Sequence, residues 1–164
     1  MYLPTWEPHI ADVILKIVET NRKIGQKRTT MVGVVGMPGS GKTTSSNILA
    51  SLLEGTYHIP TIVIPMDGYH FSIEQLKSME NSAEMIYRRG APETFNADAL
   101  RRDLLKIQNE EENVVSIPGF DHEIGDPTPN QHIFERKKHE VVIVEGLYLL
   151  YEDERLGWHG IKVS

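Results

Sequence analysis

The first apolar residues of the chain repeat with the spacing of an amphipathic helix. Five of them follow the i, i+3, i+4, i+7, i+8 pattern that puts side chains on one helical face: Ile10, Val13, Ile14, Ile17 and Val18. We therefore expect a helix that starts near Pro8 and ends before Gly25, followed by a polar link over 26–30. The segment 1–25 is expected to pack as a helix on a main domain that occupies 26–164.

Short apolar runs alternate with helix-like stretches along the rest of the chain. Strands are predicted at 31–35, 61–66, 114–117 and 141–144. Helices are predicted at 42–53, 71–80, 82–89 and 97–109. Strands that alternate with helices indicate parallel βαβ units, and continuous apolar runs are typical of strands covered on both faces. The sequence thus predicts an α/β fold whose surest parallel strands are 31–35, 61–66 and 141–144.

Proline and glycine mark the segments where regular structure is expected to stop. Pro65 weakens the strand over 61–66, because a central strand needs the backbone donor that proline lacks. The stretch 118–129 contains Gly119, Gly125 and Pro127 and is predicted to be a loop.

A glycine-rich run between the first predicted strand and the following helix is the strongest chemical signal. It matches G-x-x-x-x-G-K-[ST] in full and is followed by Thr44: Gly36-Met37-Pro38-Gly39-Ser40-Gly41-Lys42-Thr43. Such a loop turns its backbone N–H groups toward phosphate oxygens, and the helix behind it adds its positive end. Lys42 is expected to reach the β- and γ-phosphates, and the Thr43 hydroxyl to bind magnesium. The motif alone does not distinguish ATP from GTP, or a kinase from an ATPase.

Two acidic residues follow predicted strands of the same sheet. Asp67 comes after 61–66, and Glu145 comes after 141–144. Ligands of parallel sheets collect at the carboxyl ends of the strands, so both acids could face a phosphate held by Lys42. One acid would organise magnesium and the other would accept the proton of an acceptor hydroxyl. The alternatives are an Asp-Gly turn for Asp67 and a solvated strand end for Glu145.

Composition narrows the possible functions. The chain of 164 residues has 17 Lys and Arg against 23 Asp and Glu, so its net charge of −6 argues against a general nucleic-acid binder. The absence of cysteine excludes disulfides and thiol catalysis, and the histidines show no zinc-ligand spacing. We find no apolar run long enough for a membrane span and no secretory signal, so a cytoplasmic location is expected.

Five stretches make the chain similar to a known family of kinases. They are the glycine-rich loop at 36–43, MDGYHF at 66–71, RRGAPETF at 88–95, PGFDH at 118–122 with DP at 126–127, and VEGLYLL at 144–150. In this order they resemble the phosphoribulokinase/uridine kinase family of P-loop kinases, which includes pantothenate kinase-like members. The similarity spans about 29–158 and is greatest to a bacterial and fungal branch described as uridine kinase-like or fructokinase-like.

The resemblance implies a P-loop NTPase-type parallel sheet flanked by helices in three αβα layers. It also implies an ATP- and magnesium-dependent transfer of the γ-phosphoryl group to a hydroxyl of a sugar, nucleoside or pantothenate-like alcohol. By position, Asp67 matches the base, Lys42 and Thr43 the phosphate and magnesium contacts, and Glu145 the acid that ends its strand. Residues that match the acceptor pocket are Tyr69, His70, Arg88, Asn96, Phe120 and His122.

Each pocket assignment has a structural alternative. Tyr69 and Phe120 could be core aromatics, and the two histidines could stabilise loop backbone. Arg88 could pair with a surface acid, and its neighbour Arg89 could instead be the arginine that binds a phosphate or a carboxylate at the pocket. Asn96 stands where family members often have Asp, which puts uridine specificity in doubt, and it is also a good N-cap for the next helix.

The chain is shorter than the family pattern, so we expect it to lack the last strands of the sheet and a lid. This expectation raises a second hypothesis, a regulatory or inactive module that binds ATP without transfer. A P-loop ATPase or GTPase that acts on macromolecules ranks last, because no basic stripe and no N-K-x-D motif is present. Oligomeric state stays open, and neither nucleic acid nor membrane is expected as a partner.

Overall fold

Helices and strands alternate up to residue 65, and the rest of the protein has a run of helices followed by a run of strands. The computed structural model describes residues 5–25 and 28–160, so Gln26 and Lys27 of the predicted polar link lie outside the described residues. The helices are α1 Glu7–Lys23, α2 Lys42–Gly55, α3 Ile73–Lys77, α4 Ser82–Tyr87 and α5 Ala97–Gln108. The strands are β1 Thr30–Val35, β2 Thr61–Pro65, β3 Val114–Asp121, β4 Asp126–Glu135, β5 Val141–Gly146, β6 Glu152–Asp153 and β7 Trp158–His159. Within the described ranges, no helix combines the length and the apolar character needed to cross a bilayer.

Strands β1, β5 and β2 form a parallel sheet in that order, as predicted for the three surest strands. The register places Thr30 of β1 and Thr61 of β2 on either side of Val141 in β5. Every residue of β5 is buried, because it has a strand on each side and a layer on each face. Pro65 is accommodated because it is the last residue of β2, where a missing donor disrupts little of the ladder.

Alternate side chains of β5 enter two separate cores, which makes the fold three-layered. Val141 and Ile143 pack with buried residues of α1 and α2, such as Leu49. Val142 and Val144 pack on the opposite face with α5 and the β3–β4 hairpin, including Phe134. This two-sided burial explains why the β5 sequence is continuously apolar instead of alternating.

The prediction of a loop over 118–129 is wrong. Strand β3 continues to Asp121 and β4 begins at Asp126, so only the residues between them form a turn. The prolines are tolerated because β3 and β4 form a two-stranded ribbon with free outer edges, and the register shifts between Ile117 and Gly119 around a proline. Strand β4 has no counterpart among the predicted elements.

The helix predicted over 71–80 is shorter in the structure. It spans Ile73–Lys77 and is set by a capping box, in which the Ser72 hydroxyl accepts from the Gln75 N–H and the Gln75 side chain accepts from the Ser72 N–H. Before it, a 3₁₀ turn over Met66–Tyr69 follows β2 directly. Apart from Met66, which was predicted as the end of a strand, this turn occupies the gap that the prediction leaves between strand 61–66 and helix 71–80.

The outer edge of β1 has no strand partner within the described part of the chain. The Thr30 and Gly36 N–H groups donate to backbone carbonyls at the two ends of β5. Because successive residues of a strand alternate in direction, the N–H groups of the odd-numbered residues between them point away from β5. A groove of about 810 Å³ lies along this edge, lined by residues of α1, β1, α5 and the 149–160 segment. None of the predicted site residues lines this groove.

Gly68 holds the 3₁₀ turn against β3, which generates a prediction about stability. A Cβ on Gly68 would lie 2.3 Å from the Pro118 carbonyl oxygen, whereas a Cβ on Gly33 of β1 would meet nothing within 4 Å. We expect Gly68→Ala to lower the free energy of unfolding by about 1–3 kcal/mol, because backbone must move to admit the methyl group. Gly33→Ala is the matched control and should leave stability unchanged or slightly raised. Urea unfolding of both variants measures this, and equal effects would contradict the close packing.

Candidate functional site

The glycine-rich loop connects β1 to the first turn of α2. Gly41 immediately precedes α2 with φ of 84°, a left-handed conformation that glycine adopts without strain. The helix has no side-chain cap and no acidic residue in its first turn, so its first N–H groups keep their positive end unneutralised. This is the arrangement that binds anions at helix N-termini.

The Lys42 side chain folds back over this loop. Its ammonium donates to the Met37 carbonyl oxygen at 3.1 Å. A Cβ on Gly36 would lie 2.7 Å from the Ser40 hydroxyl and 3.2 Å from Lys42 Cγ, so a larger residue there would have to displace these two side chains. Loop residues 37–41 and the following Thr43 and Thr44 are exposed. The positive groups of the loop are therefore accessible to a phosphate chain.

Thr43 and Glu145 meet directly beneath the loop. The Thr43 hydroxyl donates to Glu145 Oε1 at 3.0 Å. Glu145 is buried at the end of β5, and burial raises the pKa of its carboxyl above the usual range, with the nearby Asp67 charge acting in the same direction. The Thr43 hydrogen bond and the charges of Lys42 and His122 act against that rise in the pKa. Five predicted site residues thus lie within electrostatic reach of one another.

Thr43 and Glu145 present oxygen atoms suited to magnesium. No group of three or more His, Cys, Asp or Glu side chains in 5–25 and 28–160 forms a metal cage. A magnesium ion here would complete its shell with phosphate oxygens and water, as Mg²⁺ does in phosphate-transfer sites. The hydroxyl and carboxylate in contact therefore fit a magnesium–nucleotide complex.

Asp67 lies at the end of the strand next to Glu145. Pro65, two residues before it, is paired with Glu145 in the sheet, which brings the two acids to the same edge. Across the described ranges, the Asp67 carboxylate has no hydrogen-bond or ion-pair partner, while its backbone carbonyl accepts from His70 Nδ1 at 2.8 Å. The carboxylate is therefore free to accept a proton.

An aromatic wall extends from Asp67 along the β3–β4 hairpin. Ring centres lie 3.8 Å apart for His70 and Phe95, 4.9 Å for His70 and Phe120, and 5.2 Å for Phe120 and His122. Burial lowers the pKa of His70, so this imidazole is held toward its neutral form. The structure thus brings His70 from one sequence motif together with Phe120 and His122 from another, and adds Phe95.

Three other predicted pocket residues make the contacts of their structural alternatives. Tyr69 is buried in the core, its hydroxyl donates to Asp103 at 3.2 Å, and burial raises its pKa. Asn96 caps α5 by accepting from the Ala99 N–H. Arg88 is half-exposed and pairs with Glu93 at 2.8 Å.

Two residues at this wall have a weak signal in the sequence. Phe95 is a lone aromatic before Asn96, and nothing in its spacing marks it as a neighbour of His70. Arg89 is one of two adjacent arginines, and the sequence alone does not say which one faces the hairpin. In the structure Arg89 faces it and pairs with Asp126 at 2.7 Å.

Solved structures with the same fold include a yeast protein. YFH7 from Saccharomyces cerevisiae superposes with a TM-score of 0.80 at 20% identity, covering 92% of this chain and 76% of that one. At that identity the likeness shows the fold alone, a parallel sheet with flanking helices.

Two curated relatives that the chain resembles come from fungi. A Schizosaccharomyces pombe protein named "Putative uridine kinase C227.14" is 38% identical over 128 residues, covering 76% of this chain and 53% of that protein. The ATP-dependent kinase YFH7 of Zygosaccharomyces rouxii is 33% identical over 115 residues, covering 56% of this chain and 30% of that protein. The chain therefore spans about half or less of the length of these two relatives.

A family-wide sequence profile agrees with the motifs and with the fold. The profile of the Phosphoribulokinase / Uridine kinase family matches residues 31–163, which is most of the chain. The match contains the glycine-rich loop, both acids and the aromatic wall. The chain belongs to the Phosphoribulokinase / Uridine kinase family.

Proposed function

We propose that the protein is an ATP-dependent kinase that transfers the γ-phosphoryl group to a hydroxyl of a small molecule. The observation that carries the proposal is the contact of Thr43 with Glu145 at one strand end, with Asp67 at the next, its carboxylate unpartnered among residues 5–25 and 28–160. A phosphate chain on the loop would then lie between a magnesium site and a free carboxylate. This is the set of parts that phosphoryl transfer to an alcohol requires.

The proposed reaction assigns one task to each group. The loop N–H groups and Lys42 hold the β- and γ-phosphates, and Thr43 with Glu145 would hold magnesium, which neutralises charge on those oxygens when bound. Asp67 accepts the proton of the acceptor hydroxyl as its oxygen bonds to the γ-phosphorus. The bond from that phosphorus to the β–γ bridging oxygen breaks, and ADP leaves with the electron pair.

The aromatic wall supports a small acceptor beside Asp67. His70, Phe120 and His122 offer ring faces and edges, against which the C–H face of a sugar or a flat base packs favourably. His70 donates its Nδ1 proton to the Asp67 carbonyl, so Nε2 carries the lone pair that can accept from an acceptor hydroxyl. Sugars, nucleosides and pantothenate-like alcohols all satisfy this chemistry.

A module that binds Mg-ATP without transfer is the second candidate. Two observations favour it. The glycine-rich loop is open to solvent, and Arg88 and Arg89 are both paired with carboxylates. A melting-temperature series separates the two candidates, because ligands stabilise a protein by mass action. A shift with Mg-ATP and a further shift with an acceptor supports the kinase, and a shift with nucleotide alone across all acceptors supports the binding module.

Lys42→Ala tests the loop. We expect it to weaken Mg-ATP binding and to remove turnover, because the ammonium is the side-chain cation folded over the loop. Lys16→Ala, on the exposed face of α1, is the control and should bind normally. Isothermal titration with Mg-ATP measures both, and equal affinities for the two variants would refute the role.

Asp67→Asn tests the proton acceptor. The amide keeps the size of the carboxylate but cannot take up a proton, so turnover should fall by about 10²-fold or more while ATP affinity stays nearly intact. The control is Asp98→Asn on the exposed side of α5. Steady-state rates with a saturating acceptor give the comparison. A full rate in Asp67→Asn would contradict the role of Asp67 as proton acceptor and would leave it as a turn residue.

Glu145→Gln tests the magnesium site. The glutamine oxygen can still accept from Thr43, so the variant removes the charge and keeps the contact. The magnesium concentration for half-maximal rate should rise by about 10-fold or more. Glu19→Gln on α1 serves as the control. An unchanged magnesium dependence would show that Glu145 is not a ligand.

A further inference from the structure

Arg89 is enclosed by the protein, in contrast to its neighbour Arg88. The Arg89 side chain is 19% exposed, against 50% for Arg88. Its guanidinium donates to the carbonyl oxygens of Phe71 and Gly125 and to Asp126 Oδ1, the last at 2.7 Å. A part-buried guanidinium whose two terminal nitrogens have three fixed acceptors is a structural joint, since the planar fork directs each donor.

The partners of Arg89 belong to segments that are distant in the sequence. Phe71 follows the turn that carries Asp67, and Gly125 and Asp126 lie at the tip of the β3–β4 hairpin. The same Asp126 oxygen also accepts from the Ile73 N–H at 2.9 Å. One ion pair therefore joins the segment after α4, the start of α3 and the hairpin.

The contacts of Arg89 extend to the aromatic wall. The Arg89 guanidinium carbon lies 5.8 Å from the centre of the Phe120 ring, and that ring contacts His70. His70 Nδ1 in turn donates a hydrogen bond to the Asp67 carbonyl oxygen. A continuous path of contacts thus runs from Arg89 to the segment of the proposed proton acceptor.

We propose that Arg89, paired with Asp126, is a positioning residue that holds the β3–β4 hairpin against the Asp67 segment and thereby sets the affinity for the phosphate acceptor. The part about the acceptor rests on the proposed kinase function, and the part about the hairpin rests on the contacts alone. Lysine is not an equivalent replacement for Arg89, because its ammonium lacks the planar fork that directs separate donors to two carbonyls and a carboxylate.

The test compares Arg89→Lys and Asp126→Asn with the natural protein. Asp126→Asn keeps an oxygen that can accept from Ile73 and Arg89, so it remains informative where Arg89→Lys folds poorly. The matched control is Arg155→Lys, which alters an ion pair between the exposed Arg155 and Asp153 at 2.9 Å. Backbone hydrogen exchange, Mg-ATP affinity and steady-state kinetics with uridine, fructose and glycerate are measured on all four proteins.

We expect amide exchange to be about tenfold faster at 71–73 and 118–128 in both variants, and unchanged at 36–46. Mg-ATP affinity should stay within about twofold. With the acceptor that is phosphorylated, KM should rise by about tenfold while kcat changes little, because the acceptor wall is displaced and the phosphate loop is not. Arg155→Lys should match the natural protein in all three measurements.

Three results would overturn the proposal. One is unchanged exchange at the hairpin in both variants, and another is faster exchange spread evenly over the whole chain. The third is a lower kcat with an unaltered acceptor KM, which is the mark of a purely structural loss. Absence of turnover in the natural protein would contradict the proposed kinase function and with it the role in acceptor affinity, whereas the exchange pattern would still decide whether Arg89 holds the hairpin.

Discussion

The parallel pairing of β5 with β1 and β2 is the constraint on which the core and the candidate site both depend. β5 is buried along its full length, and its alternate side chains build the two cores on either face. The same register brings the glycine-rich loop after β1 and the Asp67 turn after β2 to the end where β5 terminates in Glu145. Packing and chemistry therefore come from one arrangement of three strands.

This arrangement places the Glu145 carboxylate in a buried position, where its negative charge lowers the stability of the fold. Burial and the neighbouring Asp67 raise the pKa of Glu145, so the ionised form is disfavoured at the very position where magnesium would need it. The Thr43 hydrogen bond and the Lys42 charge offset part of that cost. Acids with a pKa shifted by burial and by a neighbouring charge are enriched at functional sites, which agrees with the magnesium role proposed for Glu145.

The parts of the fold that could be predicted from the sequence are those with local signals. The apolar run of β5, the loop before Lys42 and the Asn96 cap each depend on nearby residues, and each is found where expected. The start of β3 was predicted, but its extension to Asp121 and the start of β4 were not, because their prolines and glycines are typical of a loop and become strands only through pairing. Phe95 and Arg89 reach the wall by the same long-range contacts, so their roles have no counterpart in local patterns.

The most direct test of the central claim is ADP release from Mg-ATP by the chain of residues 1–164, with and without each of a panel of acceptors. The panel contains uridine, cytidine, fructose, glycerate, pantothenate and ribulose 5-phosphate. We expect release that depends on at least one acceptor and that disappears when magnesium is chelated, because the proposed site would join a phosphate loop, a magnesium-binding pair and a proton-accepting carboxylate. Tight nucleotide binding with a rate that no acceptor changes would contradict phosphoryl transfer and leave a nucleotide-binding module.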